Sequence, residues 1–525
     1  MRYTAFMPAL MLIILACLAS SHGDARMLPD GRPNIVFIMA DDHAKRAVSC
    51  YGSDLIQTPN IDRIAREGVR CTQSFVTNAI CAPSQAVLLT GKYSHMNGLR
   101  DNRDVFDSDQ VTFPKLLQRA GYQTALVGKW HLKSPPQGFD YWNILPGQGD
   151  YYNPRFIEMG DTAHHSGYVT ELTTDFAMEW IKKRDPEKPF CLLYLHKAPH
   201  RNWMPDSQHL SMFDGVDLPL PATFFDSYES RSAAARKQEM EVARHLADGF
   251  DLKLPVDFVA RRGSDMKIRP GWDAVKTWRT TYERMTPEQQ AAWEAAYGPE
   301  NDRFIKAGLS GSELAEWKYQ RYIKDYLRCV ASIDDNIGRF LDFLDNEELA
   351  DNTLLVYTSD QGFFLGEHGW YDKRFMYEES IGIPLLIRYP RSITAGTVLD
   401  NMILNLDFAP TFLDYAGVTI PDAMQGTSLL PLLQGDSLDS WRGSIYYHYY
   451  EYPHGWHNVM RHYGIRTDRY KLIHFYNDID AWELYDLRKD PGEVDNLYNA
   501  PEYKEIAQEL RQELGRLRIQ YRDIE

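Results

Sequence analysis

Asn34-Ile35-Val36-Phe37-Ile38-Met39-Ala40 runs without a break into Asp41-Asp42, and the fold of this chain can be read outward from that stretch. A strand with one wet face alternates apolar and polar residues, and an amphipathic helix repeats every three to four; this run does neither. Such continuity marks a strand buried on both faces, as in a sheet sandwiched between helices. Three more runs have the same form. Thr124-Ala125-Leu126-Val127-Gly128 leads into Lys129-Trp130-His131, Phe190 to Leu195 into His196, and Thr353 to Thr358 into Ser359-Asp360. Ligands in such sheets bind beyond the carboxyl ends of the strands, so four ends delivering Asp, Lys, His and Asp predict one shared site. The expected class is α/β: a large mixed sheet sandwiched by helices, with a smaller C-terminal α+β subdomain.

Between the strands, Pro83 to Leu89 opens a helix, and Tyr319 to Asp345 carries a long amphipathic period. Residues 33–425 are expected to form the main domain. Phe224 to Trp317 is charged, rich in Ala, Glu and Arg and poor in strand signals, which predicts a helical insertion over the core. From residue 426 to 525 the pattern changes to short aromatic strands such as Tyr463 to Arg466 and Arg469 to Phe475, followed by a helix from Glu502. At the other end, Arg2, the apolar run Ala9 to Ala19 and the small residues after it read as an export signal over residues 1–23. The run is too short to span a bilayer and no other segment is long and apolar enough. A secreted or periplasmic protein is expected, and Ile14-Leu15-Ala16-Cys17 faintly resembles a lipoprotein site through which Cys17 would anchor it.

A formal net charge of −16 over 525 residues argues against nucleic acid or an anionic membrane surface as a partner. A small anionic substrate stays open, because a few lysines beside a metal make a local positive pocket. Beyond the signal, Cys50, Cys71, Cys81, Cys191 and Cys329 make an odd number, so at least one is unpaired. High aromatic content, with 32 Tyr and 12 Trp, suits carbohydrate stacking and a large core equally.

Asp41-Asp42 and Asp360-Gln361 offer four oxygen donors at two strand ends, a set that suits Ca²⁺, or less well Mg²⁺, rather than zinc. Taken alone, Asp-Asp after a strand is an ordinary polar turn, and a Cys before Pro an ordinary buried thiol. The run Cys81-Ala82-Pro83-Ser84-Gln85, followed by an apolar stretch and Thr90-Gly91-Lys92, changes that weighting. It resembles the sulfatase signature Cys-x-Pro-Ser-Arg with its Thr-Gly-Lys/Arg. Lys129-Trp130-His131 is similar to the family's Gly-Lys-Trp-His segment, His196-Lys197-Ala198-Pro199-His200 to His-x-x-Pro-His, and Thr358 to Gly362 to Thr-Ser-Asp-x-Gly. Lys373 before Tyr377-Glu378 stands where the family has its second sulfate-binding lysine. The likeness runs from Asn34 to about Asn496 and implies the alkaline-phosphatase-like fold.

The resemblance implies roles. Cys81 becomes formylglycine through a maturation enzyme; one hydroxyl of its hydrate attacks sulfur and the other later collapses to expel sulfate. Asp41, Asp42, Asp360, Gln361 and the group at Cys81 hold the metal, with Asp360 also able to accept the nucleophile's proton. Lys129 and Lys373 neutralise charge on the transferring group. His200 protonates the leaving alcohol and His131 takes the proton when the hemiacetal collapses. Gln85 departs from the family's Arg, which marks the cysteine for oxidation and braces the site.

Gly138 to Trp142, Leu145 to Pro154 and Gly362 to Trp370 are similar to the N-acetylglucosamine-6-sulfatase branch, whose members act on heparan sulfate, keratan sulfate or mucin glycans. That implies an exo-acting enzyme on a sulfated carbohydrate. The aromatic segment Tyr446 to His462 is read as a wall of the sugar pocket, with His196, His454 and His457 as substrate contacts; a tyrosine-rich strand pair is the other reading. Two further functions stay open: a phosphate or phosphonate monoester hydrolase of the same superfamily, and an exported pseudo-sulfatase that binds glycans without turnover because of Gln85.

Overall fold

A computed structural model describes residues 31–263, 271–436 and 441–524. The expected export segment 1–23, with Cys17, lies outside the described residues. A ten-stranded mixed sheet organises the chain, its strands lying in the order Thr397–Leu399, Val69–Cys71, Leu385–Arg388, Thr353–Ser359, Asn34–Ala40, Phe190–Leu195, Gln123–Lys129, Tyr141–Leu145, Arg155–Glu158 and Asp161–His164. The five strands from Thr353–Ser359 to Tyr141–Leu145 are mutually parallel. The four apolar runs are thus four adjacent strands, and their polar ends emerge side by side along one edge. Register makes this exact: Ala40 pairs with Ser359, and Met39 with Leu195, so Asp41, Asp360 and His196 follow at nearly one level.

Both faces of these strands are covered. Ile35, Phe37 and Met39 pack into a core that includes the helix Cys81–Thr90, whereas Val36 and Ile38 face the helix Gly311–Asn346. Each such side chain fully removed from water contributes about 1.5–3 kcal/mol, which is why the runs carry no charged residue and few polar ones. The long helix starts before the expected Tyr319 because its first turn is exposed and carries no apolar period. Residues 224–317 hold several helices, of which Pro287–Ala307 is the longest, joined by irregular segments.

Near the C-terminus, Ser444–Tyr449, His462–Thr467, Tyr470–Phe475 and Ala481–Asp486 form a four-stranded antiparallel sheet, followed by the helix Lys504–Gln520. Ile445, Leu472 and Leu484 of this sheet belong to the same apolar cluster as Phe37, so the smaller unit is packed onto the larger one. Cys50, Cys71, Cys81, Cys191 and Cys329 are all free thiols. Among the described residues no helix is long and apolar enough to cross a membrane.

Candidate active site

Asp41 and Asp42 follow the strand Asn34–Ala40, and Asp360 and Gln361 follow its neighbour Thr353–Ser359. The Asp42 amide donates to Asp360 Oδ1 at 2.9 Å, as does the Gln361 amide at 3.0 Å. Tyr326, on the long helix, donates its hydroxyl to the Asp42 carbonyl at 2.7 Å, fixing the loop from the opposite face. Two glycines allow the chains to pass this closely. A Cβ on Gly128, at φ 108°, would collide with the Leu195 carbonyl, and one on Gly362 would collide with that of Glu379. Gly128 therefore sets Lys129 against the neighbouring strand.

Cys81 is the first residue of the helix Cys81–Thr90 and is buried at the floor of a cavity of about 470 Å³. His131, Lys197, His200 and Lys373 line that cavity with it. Beneath lie the carboxylates of Asp41, Asp42 and Asp360; with Cys81 Sγ they offer ligand atoms within 4.8 Å of one another. Lys129 ion-pairs with Asp41, and Lys373 Nζ meets both Asp42 oxygens at 2.6 and 2.8 Å. Gln361 donates its amide to Asp42 Oδ1 at 2.5 Å and to Cys81 Sγ at 3.6 Å. Its own Oε1 and Asp41 Oδ1 are enclosed without a partner. Unpartnered buried oxygens are costly, and an all-oxygen set with two of them fits a hard divalent cation.

The electrostatics follow from enclosing so many charges. Burial lifts Asp42 to about 7, against the pull of Lys373, and lifts Asp360 as well. Burial and the Lys197 charge lower the pKa of Lys129, whereas for Lys373 burial is outweighed by Asp42, Cys81 and Asp372 together, which raise it. His131 and His200 are both held neutral, by burial first and by the Lys129 ammonium next. His200 Nδ1 lies 2.7 Å from the Arg201 carbonyl, which can only accept, so Nδ1 carries the proton and Nε2 is the nitrogen that exchanges one. Gln148 Nε2 donates to His131 Nε2 at 3.0 Å and sets the same tautomer there, with the proton on Nδ1. Burial also raises the Cys81 thiol pKa, so the group as it stands is a poor nucleophile.

Residues 33–418 match the family described as Sulfatase, and residues 366–520 match N-sulphoglucosamine sulphohydrolase, C-terminal. The chain belongs to the sulfatase family. Its chemistry is the hydrolysis of sulfate esters. This sulfatase is 50% identical to an N-acetylglucosamine-6-O-sulfatase of Bacteroides thetaiotaomicron, over 98% of this chain and 92% of that one. It is 26% identical to an arylsulfatase of Clostridium perfringens over 91% and 93%. Among solved structures, one described in complex with its substrate, D-glucosamine-2-N,6-O-disulfate, matches with a TM-score of 0.90 and 51% identity, over 94% of this chain and 99% of that one. A phosphonate monoester hydrolase of Agrobacterium radiobacter, 21% identical, shares the fold with a TM-score of 0.68, over 93% of this chain and 96% of that one.

Several expected positions of the sulfatase site need correcting. His196 does not reach the cavity: it is fully buried beside Tyr194 with both ring nitrogens enclosed, and burial drops its pKa to about 3. His454 is exposed in the loop after Tyr449 and is not among the cavity-lining residues. Most of the aromatic segment is core as well. Tyr446, Tyr447 and Tyr449 are buried in the C-terminal sheet, and His462 stacks on Tyr447 and Phe375; only Trp456 and His457 line the cavity. Gln85 is buried and donates its amide to the Lys129 carbonyl at 3.4 Å, while Ser84 donates its hydroxyl to the Asp360 carbonyl.

Sequence reasoning overlooked Lys197 and Arg201, although Lys197 stood inside a quoted motif beside His200. It also overlooked Asp372 and Arg374, which flank Lys373; Asp372 pairs with His457 at 3.2 Å and Arg374 with Glu451 of the C-terminal unit. Trp272 carried no local signal at all.

Proposed function

We propose that this sulfatase removes the 6-O-sulfate from a glucosamine residue at the end of a sulfated glycan. One observation carries the reading: the carboxylates of Asp41, Asp42 and Asp360, from two adjacent strand ends, converge at Cys81, in a chain half identical to a 6-O-sulfatase along nearly its whole length. Oxidation of Cys81 to formylglycine by a maturation enzyme would supply, as the hydrated aldehyde, a hydroxyl nucleophile in place of the protonated thiol. Asp41, Asp42, Asp360 and Gln361, with the oxygen at position 81, would hold a divalent cation, Ca²⁺ in preference to Mg²⁺, which would neutralise charge on the sulfate.

The chain's own residues do the rest. Lys373, open to the cavity, and Lys129 beneath it present two ammonium groups to the sulfate oxygens as negative charge moves toward the leaving oxygen. Asp360, its pKa lifted by burial, is suited to accept the proton of the attacking hydroxyl. His200 takes up a proton at Nε2 once an anion sits beside it and delivers it to the sugar oxygen; His131, whose Nε2 accepts from the Gln148 amide, receives one there in the return step when Gln148 gives way. Export through residues 1–23 to the periplasm or beyond completes the proposal, and N-terminal sequencing of the mature protein tests that part.

The test pairs two measurements on protein coexpressed with a maturation enzyme. Mass spectrometry of the 71–92 peptide should show an aldehyde in place of the thiol. Ion chromatography should show sulfate released from 6-O-sulfated N-acetylglucosamine faster than from the 3-O isomer, with p-nitrophenyl phosphate left nearly untouched. An intact thiol without sulfate release would mean a glycan-binding pseudo-enzyme, and faster phosphate release would mean a phosphomonoesterase.

A further inference from the structure

In the proposed reaction the sugar is the leaving group, so its ring must lie on the side of the cavity where His200 stands. The next residue, Arg201, lines the same wall. Its side chain is committed in an unusual way. Nε donates to Asp251 Oδ1 at 2.7 Å and Nη2 to Oδ2 at 2.5 Å, a two-pronged pair with a carboxylate that has no exposed surface. The rings of Phe250, Trp272, Tyr371 and Trp456 surround the guanidinium, each with its centroid 5.5–5.7 Å from the central carbon. Among the described residues Nη1 has no hydrogen-bond partner, and it is not one of the enclosed orphan atoms of the site.

A purely structural arginine would spend all three nitrogens. This one has two locked by Asp251, which also accepts from the Ala247 amide at 2.7 Å, and is rigid before any ligand arrives. Apolar rings around a fixed donor lower the local permittivity and strengthen whatever hydrogen bond it makes. Lys197 adds a second cation on the same wall; its Nζ lies 3.4 Å from the Arg201 carbonyl and 4.6 Å from the centroid of Tyr151. Arg201, Asp251 and Lys197 carry one net positive charge between them, beside the Asp150 carboxylate on the same cavity; burial lowers the Lys197 pKa to about 8, so its charge is kept at neutral pH.

We propose that Arg201, with Lys197, forms a recognition site for a second oxyanion on the same sugar, a sulfamate on the ring nitrogen, and so sets preference for N-sulfated over N-acetylated glucosamine. This rests on the 6-O-sulfatase reading for the place of the sugar ring. The chemistry fits: a tetrahedral monoanion accepts from a fixed guanidinium N–H and a nearby ammonium, whereas an acetamide brings a neutral oxygen and no charge for Lys197.

The experiment compares glucosamine-2-N,6-O-disulfate with N-acetylglucosamine-6-O-sulfate in wild type, Arg201→Lys and Lys197→Gln. Because a lone Asp251 would be a buried unpaired charge, the double variant Arg201→Gln/Asp251→Asn keeps a neutral hydrogen-bonding pair. Loss of one charge-assisted hydrogen bond predicts a fall of about 10- to 100-fold in kcat/KM on the disulfate for the double variant, and about threefold or less on the N-acetyl substrate. Calorimetric titration of glucosamine-2-N-sulfate, which has no scissile 6-O-sulfate, into Cys81→Ala protein should show the same weakening. That titration separates the two claims. Selective binding without any sulfate release would sink the 6-O-sulfatase reading and leave this site standing. Equal losses on both substrates, or N-sulfated and N-acetylated sugars bound alike by the wild type, would overturn the assignment.

Discussion

Replacing Lys373 by Met tests the electrostatic account at its centre. The Lys373 ammonium is buried and lies 2.6 and 2.8 Å from the two oxygens of Asp42. An ammonium acting on a sulfate oxygen about 4 Å away at an effective permittivity near 20 is worth about 4 kcal/mol. Deletions of single charge-stabilising donors elsewhere cost about 10²- to 10³-fold, so a loss of kcat in that range is expected. Stability responds through a different route. Without a divalent cation, the substitution leaves Asp42 buried and unpaired, at a cost of about 3–5 kcal/mol. Asp42, already lifted to about 7, can escape part of that by taking a proton, so the cost is larger at pH 8 than at pH 6. With a cation held by Asp41, Asp42 and Asp360 the carboxylate keeps a partner and the cost shrinks. The assay is urea unfolding of wild type and variant, with Ca²⁺ and with EDTA, beside initial rates of sulfate release. Equal destabilisation with and without Ca²⁺, or a kcat within about threefold of wild type, would refute the reasoning.

Three further outcomes are expected. His200→Ala should lower kcat on a sugar sulfate by about 10²- to 10⁴-fold but far less on p-nitrophenyl sulfate, whose phenolate departs without a proton; the ratio of the two rates reads this directly. In EDTA the wild-type protein should lose stability as pH rises from about 4 to 7. The reason is that native Asp42, moved from 3.8 to about 7 by burial, holds a proton that the unfolded chain has released; this group contributes up to about 4 kcal/mol, and Ca²⁺ should flatten the slope in denaturant midpoints. Leu193→Ala, in a strand buried on both faces, should cost about 2–5 kcal/mol in urea unfolding while KM stays unchanged, because the side chain lies in the apolar core and does not line the cavity.

The apolar runs were legible because burial on both faces excludes polar residues, and that constraint is written locally. Asn34 to Ala40 and Phe190 to Leu195 admit almost no other structure, and a polar residue straight after each run can only stand at a strand end. The cluster of Asp41, Asp42 and Asp360 was legible for the same reason. The wall of the sugar pocket was not. Tyr446, Tyr447, Tyr449 and His462 have the composition of a binding surface, yet the antiparallel pairing of Ser444–Tyr449 with His462–Thr467 turns them into core. His196 sits in a matching motif, but its side chain points away from the cavity that its neighbour Lys197 lines. A local pattern names the strand end and leaves open which of two successive side chains faces the ligand.

By itself the sequence determined the α/β class, the strand ends that carry Asp41, Asp42, Lys129 and Asp360, and the family of the reaction, because each depends on residues close together in the chain. Tertiary structure alone decided that Arg201 meets Asp251, Phe250, Trp272 and Trp456, and that Asp372 and Arg374 are held by His457 and Glu451. Those partners come from the 224–317 segment and the C-terminal unit, brought to the cavity by packing that no short stretch encodes. The wall proposed to meet the sugar is assembled across the chain, whereas the residues proposed for sulfuryl transfer stand at the ends of adjacent strands.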